Sequence, residues 1–366
     1  MIEILKAGTL TTIQDSGRTG YQELGVPETG ALDAFSFRCA NLLTGNHENA
    51  PVMEAVLFGP QVKFSDDSFI AITGGDLSPT IDGANVNLWE TLQVSAGSIL
   101  SFSGPTGNGI RSYIAISGGF SGDKSRSVMG SYSTYLPGEF GGYEGRALKD
   151  GDVLNIGTSE KIFAGGLVFE NPPYFGDDET LRIILGPQDG MFAPAAIQTL
   201  ISSSYQVTPN SDRMGCRLDG PVLEHLDGPD VISDGTAFGV IQVPGDGKPI
   251  ILLSDRGTTG GYTKIATVIS ADRSKLAQLI PGGNVNFELV SQEKAVNLLK
   301  DEERSLSSLT EHGGAPLNIK VNGLSVDIVD DDNQPAIGIN IEHHTTYKAV
   351  VSDGHQDHEI ELEISE

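Results

Sequence analysis

The chain has 366 residues, enough for two medium-sized domains, and 38% of them are hydrophobic, enough to bury a real core. Forty-nine Asp and Glu residues against 23 Lys and Arg residues give a formal net charge of −26, which would repel a nucleic-acid backbone or an anionic membrane. The composition therefore excludes nucleic acid and membrane surfaces as expected partners.

Glycine, proline and cysteine usage narrows the class further. Forty-six glycines and 18 prolines divide the chain into short segments, which favours β structure with many turns. Cys39 and Cys216 are the only cysteines, so the sequence offers neither a disulfide framework nor a Cys-rich zinc site. No export signal or membrane-spanning run is visible, and we expect a cytoplasmic protein.

The first part of the chain predicts short strands around one helix. The strand-like runs, each rich in β-branched residues, are VKF at 62–64, FIAITGG from 69, RSYIAISGG from 111 and DVLNIG from 152. The helix is AFSFRCANLL at residues 34–43, where Asp33 can cap the first turn and Gly45 can end the last. We expect residues 1–172 to form a first β-barrel domain.

A second domain is expected to start after Asn171-Pro172-Pro173, where the strand pattern begins again. Its predicted elements are strands at LRIIL from 181, VIQV at 240–243 and IILL at 250–253, and helices at 194–202 and from Asp272. We assign residues 173–300 to this second β-barrel domain.

The last 66 residues differ in charge from the rest. Residues 301–366 contain 15 Asp and Glu against three Lys and Arg. The segment still holds alternating strand-like runs, and Asn322-Gly323 is a strong two-residue hairpin signal. We expect a small acidic β-rich appendage after a flexible polar link at 301–316, dispensable for the folding of the two barrels.

Most of the common catalytic motifs are absent. In GGFSGDKS at 118–125, Asp123 separates the lysine from the preceding glycine, so the segment does not match the phosphate-loop motif. No G-x-S-x-G nucleophile elbow occurs. Before residue 300 the only histidines are His47 and His225, which argues against a His-based catalytic centre. Four histidines of the tail could bind zinc, namely His343, His344, His355 and His358. We expect instead that they are solvated strand residues and that no metal is bound.

Three segments rich in Gly, Thr and Ser each combine a carboxylate with an arginine. They are TTIQDSGRTGYQELGVPETGALD at 11–33, SDRMGCRLDG at 211–220 and IQVPGDGKPIILLSDRGTTGGY at 241–262. A single such pair is usually a loop ion pair of about 0–1 kcal/mol. Three of them are more typical of a polar site that orients an amide or a carboxylate through forked Arg contacts.

These three segments, with GPQDGMF at 186–192 and RSYIAISGGF at 111–120, resemble the family of allophanate hydrolase subunit 2, also called the biotin-dependent carboxyltransferase family or the family of the 5-oxoprolinase C subunit. The resemblance covers about residues 1–295. It implies a mainly β fold of two cyclophilin-like β-barrel domains with a few short helices. Arg256 adds a cation, and Tyr132 removes one, relative to the usual pattern of the family.

The resemblance implies one of three roles. The first is a subunit of an ATP-dependent 5-oxoprolinase, opening pyroglutamate to glutamate beside a sister subunit of the allophanate hydrolase subunit 1 type and a LamB/YcsF-type subunit. The second is the carboxyltransferase component of a urea carboxylase or allophanate hydrolase system, and the third is a non-enzymatic antagonist of a histidine-kinase inhibitor. No Met-Lys dipeptide or nucleotide motif is present, so we expect no covalently bound cofactor. ATP would bind a partner subunit, or carboxybiotin would arrive on another chain.

The candidate site follows from residue type and from the resemblance. We expect it to hold a small amide substrate in a cleft between the two domains. The candidate catalytic residues are Asp15, Asp212, Arg213, Asp255 and Tyr262. The candidate substrate-binding residues are Gln14, Arg18, Ser211, Gln242, Thr258 and Thr259. An Arg fork would hold a carboxylate or ureido oxygen while an Asp or Tyr manages the amide proton.

Overall fold

A computed structural model describes residues 1–121, 127–158 and 165–311, and the backbone of four later strands. Side chains are described up to residue 309. Within this part of the chain the fold is mainly β with a few helices, as the sequence predicts. No helix among the described residues is long and apolar enough to cross a membrane.

The first domain is built from two antiparallel sheets. Its strands are β1 (Ile2–Lys6), β2 (Leu10–Gln14), β3 (Val52–Val56), β4 (Gln61–Phe64), β5 (Ser68–Gly74), β6 (Pro79–Ile81), β7 (Ala84–Asn85), β8 (Thr91–Val94), β9 (Ile99–Phe102), β10 (Arg111–Ile116), β11 (Phe120–Ser121) and β12 (Val153–Ile156). One sheet has the order β11-β12-β1-β4-β9-β6-β7 and the other β2-β3-β10-β5-β8. Alternate residues such as Ile2 with Ile4 and Ile70 with Ile72 point into one shared core, as the two-residue period of a strand requires.

The second domain is a closed barrel. Its strands are β13 (Asp178–Leu185), β14 (Tyr205–Val207), β15 (Gly215–Asp219), β16 (Asp230–Gly235), β17 (Val240–Val243), β18 (Ile250–Leu252), β19 (Thr259–Val268) and β20 (Asn284–Leu289). They follow the order β13-β20-β14-β15-β18-β17-β19-β16, and β13 also pairs with β19. That additional pairing closes the sheet into a barrel, while β16 extends β19 on the outside.

Three short helices lie where the sequence places them. They are α1 (Ala34–Leu43), α2 (Pro194–Ser202) and α3 (Arg273–Gln278). The carboxylate of Asp33 accepts a hydrogen bond from the Ser36 N–H at 3.0 Å, which confirms the expected N-cap of α1. α1 packs on β5 and β10 of the first domain and also contacts α3 of the second, so it lies beside the domain interface.

A fourth helix, α4 (Gln292–Glu311), corrects the expected flexible link, because it runs through residue 300 and occupies 301–311. Leu306 and Leu309 are buried in one cluster with Phe35 and Trp89 of the first domain. Leu306 and Leu309 are three residues apart, so in a helix they lie on the same face and can be buried together. Residues 301–311 thus pack against the first domain, and whether the chain folds without them stays a prediction.

The acidic tail forms a separate antiparallel sheet of β21 (Asn318–Val321), β22 (Leu324–Val329), β23 (Thr346–Ser352) and β24 (Asp357–Glu363), in that order. Val321 lies opposite Leu324, which is the register of a two-residue hairpin. The expected turn, Asn322-Gly323, and the side chains of the tail histidines lie outside the described residues.

Candidate functional site

Arg213 lies in the interface between the two domains and joins them. It comes just before β15, and Asp255 comes just after β18; because these two strands are neighbours, the two side chains meet. Arg213 Nε donates to Asp255 Oδ2 at 3.0 Å, and Nη2 donates to the Gly30 carbonyl at 2.6 Å. Nη1 donates to the carboxylate of Glu54 on β3 of the first domain. All three charged side chains are buried.

Glu54 is a residue of the interdomain cluster that the sequence analysis missed. Its Oε2 also accepts from the Leu32 N–H at 2.9 Å and from the Tyr113 hydroxyl at 2.8 Å. One local feature of the sequence could have indicated Glu54: a carboxylate in the middle of the apolar run VMEAV needs a partner when the strand is buried. The sequence gives no indication that this partner lies in the other domain.

Two carboxylates share one guanidinium at this interface, and this arrangement shifts the pKa values of Arg213 and Asp255. Burial opposes the charge of Arg213, but Glu54 and Asp255 together outweigh burial and raise the pKa of the guanidinium. Burial raises the pKa of the Asp255 carboxyl, and the nearby Glu54 adds to the effect, although Arg213 opposes it. Asp255 is therefore the group of this cluster whose environment favours proton uptake.

Asp15 and Arg18 do not form a direct ion pair; instead, both hold the segment 131–133. Asp15 Oδ1 accepts from Ser131 Oγ at 2.6 Å and Ser133 Oγ at 2.5 Å, and Oδ2 accepts from the Tyr132 N–H at 2.6 Å. Arg18 donates to the Ser133 carbonyl.

Close packing and burial fix Arg18. Its guanidinium lies 4.9 Å from the centre of the Phe140 ring. Burial lowers the pKa of Arg18, while Asp15 and the Asp255 of the second domain oppose that shift. Gly141 has a φ of 74°, and a Cβ there would lie 2.1 Å from the Ser133 carbonyl oxygen, so this approach requires glycine. Asp15, Arg18, Arg213 and Asp255 thus lie in one interdomain region.

Gln14 is completely buried beside this region. Its Nε2 donates to Thr12 Oγ1 at 3.0 Å and to the Thr134 carbonyl at 3.3 Å. Within the described part of the chain, Oε1 of Gln14 has no hydrogen-bond partner. Its burial means that a substrate would reach it only after local movement.

Ser211 and Asp212 lie on a surface turn and not in the interdomain cluster. Asp212 Oδ1 accepts from the Met214 N–H at 2.8 Å and the Gly215 N–H at 3.1 Å. Ser211 Oγ accepts from the Arg217 N–H at 3.0 Å. These bonds fix the turn that directs Arg213 into the interface.

The remaining candidates form a second group on β17 and β19. Gln242 Nε2 donates to the Tyr262 carbonyl at 3.5 Å, and the Tyr262 side chain is exposed. Lys264 lies on β19 and was not singled out by the sequence analysis. Its side chain is buried, and its Nζ forms an ion pair with Asp234 Oδ2 at 3.0 Å. Thr258 and Thr259 lie at the start of β19, and the Thr258 carbonyl accepts from the Thr236 N–H at 3.1 Å. The connection Asp255 to Thr258 links this group to the interdomain cluster.

Among the residues that the structure describes, no group of three or more His, Cys, Asp or Glu side chains is placed to hold a metal ion.

Three comparisons with known proteins bear on this arrangement. The family described as "Carboxyltransferase domain, subdomain A and B" matches residues 24–289. The C subunit of the 5-oxoprolinase of Escherichia coli (strain K12) is 38% identical over 309 residues, which cover 84% of this chain and 97% of that protein.

Among solved structures, the crystal structure of the Kluyveromyces lactis urea carboxylase gives a TM-score of 0.78 at 29% identity, covering 96% of this chain and 32% of that one. The crystal structure of TTHA0988 gives a TM-score of 0.71 at 33% identity, covering 78% of this chain and 55% of that one. This chain therefore spans nearly all of the E. coli protein, about half of TTHA0988 and about a third of the urea carboxylase.

Proposed function

The chain belongs to the carboxyltransferase domain family, subdomains A and B, and on that premise we propose that it is a subunit of an ATP-dependent 5-oxoprolinase, which opens pyroglutamate to glutamate. One observation carries the proposal: the match to the C subunit of a 5-oxoprolinase extends over 97% of that protein. A match of this length is what a stand-alone subunit of the same type would give. The proposed location is the cytoplasm.

The reaction needs partner subunits. The sequence contains no phosphate loop, so ATP would bind to a partner and not to this chain. The partners proposed are a sister subunit of the allophanate hydrolase subunit 1 type and a LamB/YcsF-type subunit. This chain would contribute the surface that receives the cyclic amide.

We propose a division of roles within the interdomain region. All of the Arg213 nitrogens already donate to Glu54, Asp255 and Gly30, so Arg213 acts as a positioning residue for Asp255. Asp255 would exchange the amide proton, which its raised pKa favours. Asp15 and Arg18 would hold the wall of the site, because both bind the segment 131–133.

The second group would meet the substrate from β17 and β19. Tyr262 is exposed and would present its hydroxyl to a small polar ligand, while the buried Gln242 donates to the Tyr262 carbonyl and would support that strand. Thr258 and Thr259 would add hydroxyls at the same edge. Ser211 and Asp212 would act at a distance, by fixing the turn of Arg213.

A second candidate function is the carboxyltransferase component of a urea carboxylase type of system. The likeness to the Kluyveromyces lactis urea carboxylase, which covers 96% of this chain, favours it. In this case carboxybiotin would be delivered on another chain, and the same interdomain region would receive the ureido group.

Reconstitution separates the two functions. The full chain is combined with its two partner subunits, and ATP-dependent glutamate formation from pyroglutamate is measured. Carboxyl transfer to urea is measured in parallel with a carboxylated biotin carrier. Glutamate formation supports the first function, and transfer to urea without glutamate formation supports the second. The absence of both activities would overturn both proposals.

Asp255→Asn tests the proposed proton exchange, with the exposed Asp227→Asn as the matched control. We expect turnover to fall by about 10²-fold or more in the first variant and to stay unchanged in the second. The melting temperature of both variants is measured to separate a folding defect from a chemical one. Equal turnover in the two variants would remove Asp255 from the mechanism.

A further inference from the structure

A cavity of about 800 Å³ lies between α4, the segment 165–175 and the start of α3, away from Arg213 and Asp255. Its apolar wall is formed by the side chains of Phe35, Leu167, Phe169, Phe175 and Leu309. These residues belong to the buried cluster that also contains Trp89. A cavity of this volume is large enough for a small organic molecule.

The polar part of the cavity is negatively charged. Three carboxylates line it, from Glu170, Asp301 and Glu302, against one lysine, Lys275. Two of these groups are paired outside the lining: Lys275 Nζ lies 3.7 Å from Glu179 Oε2, and Asp301 Oδ1 accepts from Arg304 Nη1 at 2.5 Å. Glu170 and Glu302 remain as the negative charges of the lining. The cavity therefore combines an apolar wall with an excess of negative charge.

Glu302 is the carboxylate that the fold directs toward this space. It is four residues before Leu306 and seven before Leu309, which places all three on the buried face of α4. Within the described part of the chain, its carboxylate makes no hydrogen bond or ion pair. Its neighbour Glu303 differs, because both of its oxygens accept from Arg38, at 2.6 and 2.8 Å.

Among the described residues no cation lies within ion-pair distance of the Glu302 carboxylate, and two arginines act on it only from further away. Burial raises the pKa of Glu302 to about 7, with contributions from the negative charges of Asp33 and Glu303, while Arg38 and Arg273 oppose the shift. Arg38 is already bonded to Glu303 and, at 2.7 Å, to Glu48. A cation brought in from outside would relieve the cost of the buried charge.

We propose that this cavity binds a small organic ammonium ion, with the ammonium group on Glu302 and a compact apolar body against Phe35, Phe169 and Phe175. Charge complementarity selects the cation over an anion, because the carboxylates outnumber the single lysine of the lining. The apolar wall selects an alkyl or cycloalkyl amine over an inorganic cation. The site is independent of the interdomain cluster and of the proposed enzymatic function.

Tryptophan fluorescence gives a direct readout, since Trp89 is the single tryptophan of the chain. Its ring centre lies 6.2 Å from that of Phe35 and 5.9 Å from that of Phe169, and both phenylalanines line the cavity. The isolated full-length chain is titrated with cyclohexylmethylamine, and with cyclohexylmethanol and cyclohexanecarboxylate as the neutral and anionic probes. We expect a saturable change with the amine, weaker binding of the alcohol and none of the carboxylate.

Two variants and a pH series identify the contact. Glu302→Gln should weaken amine binding by about tenfold or more, as expected for the loss of a charge-assisted bond, whereas Glu293→Gln at the exposed start of α4 should not change it. Amine binding should tighten as the pH rises through the pKa of Glu302. The charged groups that set this pKa are Asp33, Glu303, Arg38 and Arg273, and Lys275 also lines the cavity.

The proposal is overturned by any of three results: no saturable signal with the amine, equal binding of the amine and the carboxylate, or equal affinity in Glu302→Gln and the wild type. If Glu302→Gln fails to fold, calorimetry of the wild type with the three probes still decides, because a preference for the amine requires the negative site. Equal heats for the amine and the alcohol would then reject the ammonium assignment.

Discussion

Arg213→Met tests whether the buried guanidinium holds the two domains together. Methionine has a similar length but cannot donate, so the bonds to Glu54, Asp255 and the Gly30 carbonyl are all lost. The two carboxylates, with relative exposures of 2% and 3%, remain buried without their cation.

The magnitude follows from that burial. Removing one partner of a buried ion pair typically costs about 3–5 kcal/mol, because the remaining charge stays desolvated. We expect a loss of this size in the free energy of unfolding of Arg213→Met near neutral pH. The loss should be smaller at about pH 5 than at about pH 8, since burial raises the pKa of Asp255, the variant lacks the guanidinium that opposes this shift, and the carboxyl takes up a proton as the pH falls.

Urea unfolding followed by circular dichroism and by Trp89 fluorescence measures this loss. Arg217→Met is the matched control, because Arg217 is an exposed arginine on β15, four residues away. A loss below about 1 kcal/mol in Arg213→Met, or equal losses in the two variants, would mean that the guanidinium does not join the domains. A loss of equal size at both pH values would refute the electrostatic part of the reasoning.

Three further predictions concern α4, the acidic cavity and the isolated chain. Ending the chain after residue 304 should lower the free energy of unfolding by about 3–6 kcal/mol, measured by thermal or urea unfolding, because Leu306 and Leu309 leave the core. Ending it after residue 311 should change this free energy little. Equal stability of the two shortened chains would contradict the prediction. Glu302→Gln should stabilise the chain by about 1–3 kcal/mol at about pH 8 and little at about pH 5. The folded pKa of about 7 lies above the ordinary 4.5, so the wild type loses stability as the pH rises between these values, and a pH-independent effect in urea unfolding would count against the shift. The purified chain alone should neither hydrolyse ATP nor open pyroglutamate, and ATP-dependent glutamate release without partners, or a covalently bound biotin in the mass spectrum, would disprove this.

The sequence determined the local elements because their signals are short-range. The helix at 34–43 with its Asp33 cap and the strand at 240–243 are observed where they were predicted, and the strand predicted at 250–253 is observed at 250–252. Alternating apolar residues and a capping carboxylate act within a few residues of each other, so they need no knowledge of the rest of the fold. The motif blocks also indicated the family that the comparisons confirm.

The sequence suggested which residues are chemically active but did not fix their roles. Asp15 and Arg18 are three residues apart, which suggests an ion pair, yet both side chains bind a segment more than a hundred residues further along. The sequence predicts an Arg fork that holds a substrate carboxylate or ureido oxygen, with Arg213 among the candidate catalytic residues. In the structure, protein oxygens occupy that fork.

Only the tertiary structure decided the partners of the buried charges. Glu54 is 159 residues from Arg213, and Arg38 is 265 residues from Glu303. Burial makes a charged group costly unless it meets an opposite charge, but where that charge comes from depends on how the two domains and α4 pack. The same packing leaves Glu302 facing a cavity, because the helical face that buries Leu306 and Leu309 carries their acidic neighbour inward with them.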